Sequence, residues 1–162
     1  MELESVIGGL ENAGVLIGDS SWGPIVGALG LVVTLDSTGL PPFPIKVTRG
    51  GTVSQWSASF EAVESSGVSI GTAATVYADL LHAPALTSTP EVLSNINFTV
   101  IDTINLGDIP LIGAFEAYTN NQTLATPVNI APGDYLIVHF YVDSLLVSSV
   151  TGFHAQASVE ID

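Results

Sequence analysis

The chain has 162 residues, a length typical of one domain with a single core. Hydrophobic residues make up 47% of it and charged residues only 11%, against about 25% charged residues in typical soluble domains. The formal net charge of −14 argues against nucleic acid and anionic lipid as partners. Cysteine is absent, which excludes a disulfide framework, a thiolate metal site and a cysteine nucleophile.

The first 24 residues differ in composition from the rest of the chain. Five glycines interrupt their aliphatic side chains, and glycine at that density disfavours an isolated helix. We therefore predict an N-terminal docking arm over residues 1–24 and a globular domain over residues 25–162. The predicted docking residues are Leu3, Val6, Ile7, Leu10, Val15, Leu16 and Ile17. The alternatives are an arm that folds back on its own domain as an extra edge strand, and a disordered arm.

Beyond residue 24 the pattern changes to short runs of period two, separated by turn-forming residues, as in antiparallel β-strands. In residues 52–62, Ser54, Trp56, Ala58, Phe60 and Ala62 share one predicted face, and Val53, Gln55, Ser57, Ser59 and Glu61 share the other. Residues 153–161 alternate in the same way. Shorter runs predict strands at 28–35, 44–47, 73–81, 96–101, 112–118 and 126–130, with turns that include Asn120-Asn121 and Pro132-Gly133-Asp134. These elements predict an all-β, antiparallel jelly-roll β-sandwich.

The strand predicted at residues 135–142 is apolar on both faces. Leu136, Val138 and Phe140 share one face, which we expect to fill the core. The other face is expected to meet neighbouring subunits at a threefold interface, and it carries Tyr135, Ile137, His139 and Tyr141. The longest nearly apolar run, Gly23 to Leu35, has 13 residues and is too short to span a membrane. An oligomer therefore explains the surplus of hydrophobic residues, since obligate interfaces resemble a core cut in half.

Catalytic and metal-binding motifs are not found in the sequence. His82, His139 and His154 lack both a G-x-S-x-G elbow and zinc-ligand spacing, so we predict no enzyme, no catalytic residues and no resident metal or other cofactor. Calcium stays open as an alternative at the acidic side chains near predicted strand ends, although no EF-hand loop is present. Those side chains are Asp102, Asp108, Asp134 and Asp143.

Six aromatic side chains suggest an alternative function, in which their rings form a platform that stacks against sugars. The residues concerned are Trp22, Trp56, Tyr77, Tyr118, Tyr135 and Tyr141. We favour core and interface packing for them, because Trp56 lies on the apolar face of its predicted strand.

From about residue 44 to residue 161, the order of features resembles the C-terminal domain of the BclB-like exosporium glycoproteins of spore-forming bacteria. The matching stretches are Arg49-Gly50-Gly51-Thr52-Val53, the strand 54–60, the run 71–78 (GTAATVYA), Pro127-Val128-Asn129-Ile130, the segment 132–138 (PGDYLIV) and the ending 152–161. The resemblance implies a homotrimeric head like those of complement and tumour-necrosis-factor proteins, structural and adhesive rather than catalytic, displayed on the spore surface.

The resemblance also agrees with the start of the chain, Met1 to Glu4, which has no basic n-region and predicts synthesis without a signal peptide. Those glycoproteins carry a collagen-like stalk before the head, whereas here a short arm precedes it. That arrangement is more similar to relatives whose heads polymerise into spore-surface fibres or layers. We therefore expect a self-assembling homotrimer linked into filaments by its arm. The alternative is a trimeric receptor- or carbohydrate-binding tip, such as an adhesin or a phage-fibre head.

Overall fold

The computed structural model describes residues 2–6, 10–18, 21–26, 32–34, 44–64, 74–87, 96–109, 117–143 and 148–162. Their secondary structure consists of eleven strands: β1 Glu2–Val6, β2 Leu10–Gly18, β3 Ser21–Val26, β4 Val32–Thr34, β5 Ile45–Lys46, β6 Gly51–Glu64, β7 Ala74–Ala83, β8 Asn97–Ile109, β9 Ala117–Ile130, β10 Tyr135–Asp143 and β11 Ser148–Ile161. Within those ranges, no helix is long and apolar enough to cross a membrane.

The strands form one antiparallel sheet that bends back on itself. Its order is β4-β8-β7-β10-β2-β1-β11-β6-β9, with β3 paired to β2 and β5 paired to β10. The two ends of this path approach each other, because β8, the neighbour of the end strand β4, contacts β6 and β9. Trp56 Nε1 of β6 donates to Asp102 Oδ2 of β8 at 2.7 Å, and Asn120 Nδ2 of β9 donates to the Asn105 carbonyl of β8 at 3.0 Å. The predicted all-β, sandwich-like architecture is confirmed. The jelly-roll type stays a prediction, and so does the domain boundary after residue 24, which lies within β3.

The main core lies between the two halves of the bent sheet. Alternating residues of β6 contribute Trp56, Ala58 and Phe60, as the period-two pattern predicted, and they pack against Leu80 of β7 and Phe140 of β10. Burying a side chain as large as that of Phe60 stabilises the fold by about 1.5–3 kcal/mol. Strand β6 is therefore the inner wall of one half of the sandwich.

A β-bulge changes the faces of β6 near its start. The sequence pattern placed Val53 on the polar face and Ser54 on the apolar face, but Val53 is 0% exposed and Ser54 is only half-buried. The prediction is wrong here because Ser54 is an extra residue in the pairing with β11, where Glu160 lies opposite Gln55 and Ile161 lies opposite Val53. An inserted residue reverses which side chains point inward.

Strand β9 runs through the predicted turn at Asn120-Asn121. Both asparagines pair with β6, opposite Ala58 and Ser57 respectively, so the turn prediction is wrong. The strand is the last in the sheet path and its side chains are mostly exposed, which suits asparagine and also Pro127, a residue that sheets accept at an edge.

The predicted turn between β9 and β10 is confirmed at Pro132-Gly133-Asp134. Gly133 has a φ of 95°, in the left-handed region that favours glycine. Its amide donates to the Val47 carbonyl at 2.7 Å, and a Cβ at this position would lie 3.2 Å from Ala85 Cβ. The turn is thus held against the segments that precede β6 and follow β7.

Candidate functional site

Strands β1 and β2 lie between β10 and β11, inside the sheet rather than at its edge. Strand β2 pairs with β10, with Val15 opposite Phe140, Leu16 opposite His139 and Ile17 opposite Val138. Strand β1 pairs with β11. Within one chain, the predicted arm therefore folds back on its own sheet, as one of the alternatives proposed, although in an interior position.

The remaining docking residues have defined partners along this hairpin, with one exception. Leu3 lies opposite Val150, and Val6 lies opposite Leu10. Ile7 lies outside the described residues. Docking of these residues on a neighbouring subunit stays a prediction.

The hairpin holds apart two strands that follow each other in the chain. Strand β10 ends at Asp143 and β11 begins at Ser148, a separation at which antiparallel strands commonly form a hairpin of their own. The register places Ser5, near the end of β1, opposite Ser148. The paired ends of β1 and β2 therefore lie between β10 and the start of β11.

Strand β10 is buried on both faces within one chain. Leu136, Val138 and Phe140 belong to the main core, as predicted. The face predicted as the trimer interface carries Tyr135, Ile137 and His139, which are 2%, 0% and 2% exposed, and Tyr141, which is half-buried. Tyr135 and Ile137 belong to a second cluster with Leu81, Ala83, Ile96 and Phe98. The threefold interface stays a prediction, with Tyr141 as the most accessible of its four residues.

His139 belongs to a polar and aromatic group at this face. Its Nδ1 lies 3.9 Å from Asp79 Oδ2, and Thr103 Oγ1 donates to Asp79 Oδ1 at 2.6 Å. The imidazole stacks on Tyr141 with ring centroids 5.2 Å apart, and Tyr141 stacks on Tyr77 at 5.4 Å. The group therefore ties β7, β8 and β10 together.

A second histidine–aspartate pair joins the end of β7 to the turn between β9 and β10. His82 Nε2 lies 2.9 Å from Asp134 Oδ2, while Asp134 accepts the amides of Ala85 and Ala131, each at 2.9 Å. Burial raises the pKa of Asp134, but these hydrogen bonds and the charge of His82 outweigh it and hold the pKa below 3.8. Sequence reasoning missed this pair, because 52 residues separate its members and no local motif joins them.

Neither pair is arranged as a nucleophile and its base. The Thr103 hydroxyl donates to Asp79, and the partners of Asp134 other than His82 are backbone amides. Both arrangements satisfy a carboxylate with donors, which stabilises a fold. The expectation that the protein is not an enzyme stays a prediction.

The four aspartates proposed for calcium lie in different settings. Asp102 accepts from Trp56 and Gln122, and Asp134 accepts from His82 and two amides. Asp108 and Asp143 lie on either side of Thr75, on neighbouring strands. Within the described ranges, no three histidine, aspartate or glutamate side chains are close enough to share a metal ion. Calcium binding stays untested, as does the expectation of no cofactor.

The aromatic residues do not form one platform. Trp56 and Tyr135 are buried in separate core clusters, in line with the predicted packing of Trp56. Tyr118 packs against the main core. The side chain of Trp22 lies outside the described residues. Among the members of this set whose side chains the structure describes, Tyr77 and Tyr141 are half-buried and stack on each other with ring centroids 5.4 Å apart.

Comparison with protein families, with curated proteins and with solved structures gives no match.

Proposed function

We propose that the protein is a structural, self-assembling subunit of the bacterial spore surface. In this proposal, homotrimeric jelly-roll heads are linked into a fibre or layer by their N-terminal segments. The observation that carries it is the position of β1 and β2 between β10 and β11. When β1 and β2 of one chain are not docked, the edges of its β10 and β11 are free to pair with β1 and β2 of another copy.

Strand exchange between copies conserves the pairings made within one chain. Backbone hydrogen bonds provide most of the affinity when a strand is added to a sheet, and identical chains supply identical strands. Exchange of an element between protomers is accordingly a low-cost route to assembly. The pairing of Leu16 with His139 and of Leu3 with Val150 would then join two chains instead of closing one.

The composition of the N-terminal segment supports a strong link. At about 25 cal/mol per Å² of apolar surface, burying each large aliphatic side chain contributes about 1.5–3 kcal/mol. Ordering the backbone costs about 1–2 kcal/mol per residue, so a single docked segment gains little net free energy. Three segments on one trimer bind in concert at high effective concentration, and this makes the assembled form stable.

The trimer and the spore-surface location rest on the resemblance to the BclB-like C-terminal domains and on the low content of charged residues, 11%. A trimeric receptor- or carbohydrate-binding tip is the second candidate. The observation that favours it is the stacked pair of Tyr77 and Tyr141, whose half-buried rings leave part of their surface accessible to a sugar or a protein.

Deletion of residues 1–22 tests the proposal. We expect the truncated protein to remain a folded trimer in sedimentation and to lose all filaments in electron microscopy. A point variant, Leu16→Pro, should also weaken filaments, because proline removes the amide of an interior strand, and Leu16→Val is its control. Filaments that persist without residues 1–22 would overturn the docking role. Discrete full-length trimers that bind a glycan array would favour the second candidate.

A further inference from the structure

An apolar cavity of about 370 Å³ opens between the first half of β10 and the last half of β11. Leu136 and Val138, both buried members of the main core, line it from β10. Ala157 and Val159 line it from β11 and pack against the same core. The cavity is therefore a solvent-accessible extension of the hydrophobic core, of the size and character typical of small-molecule sites.

Two exposed isoleucines mark the rim of this cavity. Ile45 is 42% exposed and Ile161 is 37% exposed, and they are the large hydrophobic side chains exposed in the part of the chain that the structure describes. Exposed apolar surface that continues into a cavity is characteristic of a binding site for an apolar group.

Both basic residues of the chain, Lys46 and Arg49, belong to the segment that lines one side of this opening. Lys46 pairs with Tyr135 and its Nζ lies 5.5 Å from the centroid of that ring, so its ammonium group is on the face of β10 opposite to Leu136 and Val138. Arg49 is therefore the cation of the cavity rim. Arg49 is exposed, and none of the described carboxylates forms an ion pair with it. Its guanidinium can bind a carboxylate through two parallel hydrogen bonds.

Among the described residues, the two acidic side chains next to Ile161 in the chain have hydrogen-bond partners. Glu160 accepts a hydrogen bond from Gln55 and faces the other side of the sheet, where it lines a polar depression with Ser158. Asp162 accepts from Ser54 Oγ at 2.9 Å. The rim thus combines the Arg49 guanidinium with apolar walls in a protein whose net charge is −14.

We propose that this cavity binds a single-chain monocarboxylate amphiphile, a fatty acid of medium length. The alkyl chain lies against Leu136 and Val138, and the carboxylate binds Arg49. A single negative charge suits a strongly acidic protein better than a polyanion does, and the apolar walls offer a sugar few hydrogen-bond partners. The proposal does not require self-assembly, although the two share Val138, which lines the cavity and lies opposite Ile17 of β2.

Calorimetric titration of the full-length protein with octanoate, decanoate and dodecanoate, each below its micelle concentration, tests the proposal. We expect one saturable site per chain, with a Kd that tightens about fourfold for each methylene buried. Decyltrimethylammonium is the control ligand, since it has the same chain and the opposite charge. Equal binding of the two headgroups would overturn the proposal, and so would a lack of saturable binding.

Variants at the rim separate the carboxylate contact from the apolar contact. Arg49→Gln, at an exposed position that should not impair folding, is expected to weaken decanoate binding at least tenfold while leaving decanol binding unchanged. Ala157→Leu fills the cavity and should weaken both ligands, with melting temperature as the folding control. Unchanged decanoate affinity in Arg49→Gln would contradict the assigned contact.

Discussion

At the scale of single residues, Asp134 connects three segments of the chain. It is 6% exposed and accepts from His82 at the end of β7, from Ala85 beyond that end, and from Ala131 in the turn after β9. A buried carboxylate with several donors stabilises its surroundings, and removing it leaves those donors unsatisfied. Asp134 therefore links the end of β7, the segment after it and the turn between β9 and β10.

Asp134→Asn should lower the free energy of unfolding by about 2 kcal/mol. The wild-type carboxylate accepts hydrogen bonds through two oxygens, whereas the asparagine amide has only one acceptor oxygen, so at least one donor loses its partner. Chemical denaturation at pH 7 measures the change. Asp143→Asn, at an exposed position, is the matched control and should change stability by less than about 0.5 kcal/mol. Equal effects of the two substitutions would contradict the role given to Asp134.

The lowered pKa of Asp134 predicts how this contribution varies with pH. The folded-state pKa lies below the unfolded value of 3.8, so the stabilisation from the ionised carboxylate is complete well above pH 3.8 and is lost as the pH falls toward the folded pKa. The stability difference between the wild type and Asp134→Asn should thus shrink between pH 6 and pH 3. A difference that stays constant over that range would mean that the side chain acts through its shape alone.

At the scale of elements, β10 is the centre of the molecule, because it pairs with β2, β5 and β7 and is buried on both faces. Its sequence predicts two apolar faces. What covers the second face is decided by strands far away in the chain, and a period-two pattern carries no information about them. For this reason the sequence predicted the strand and its core residues but not the burial of Ile137 within one chain.

Other elements show the same limit of prediction. The inward-facing positions of Trp56 and Phe60 could be predicted from the sequence, because the other face of β6 is polar. The bulge at Ser54 could not be predicted, because it depends on the register with β11. The N-terminal segment is interrupted by glycines and has a weak intrinsic preference for β-strands. It nevertheless forms β1 and β2, since pairing on both sides outweighs local preference.

Ile137→Ala should destabilise the protein by about 2–5 kcal/mol, because it leaves a cavity at a fully buried site. Ile161→Ala, at the exposed rim of the apolar cavity, is the matched control and should cost less than about 1 kcal/mol. Sedimentation of both variants gives a second measurement. A change of oligomeric state in Ile137→Ala without loss of monomer stability would place this residue between subunits instead.

At the scale of the whole molecule, net charge opposes association. The chain carries a formal charge of −14, so a trimer would carry 3 × −14 = −42. Hydrophobic residues, at 47%, provide the opposing attraction. Whether copies associate is therefore governed by how far the charges act through the solvent.

Assembly should increase with ionic strength. Between about 10 mM and about 1 M salt the Debye length falls from about 30 Å to about 3 Å, which removes most of the repulsion between copies. Light scattering or electron microscopy across this range measures the effect. Assembly that is independent of salt would show that the charges are compensated locally, for instance by bound calcium, and titration with a chelator would then reveal the ion.

The position of the β1–β2 hairpin also sets the order of events during synthesis. These strands leave the ribosome first, whereas their neighbours β10 and β11 leave it last. At about 5–20 residues per second, roughly 10–30 s separate the two. During that interval β1 and β2 lack β10 and β11 of their own chain, and under the proposed exchange they would pair with these strands in a copy whose own hairpin has not docked. Under the proposed strand exchange, the rate of translation relative to the local concentration of other copies would set the ratio of chains that close on themselves to chains that become linked.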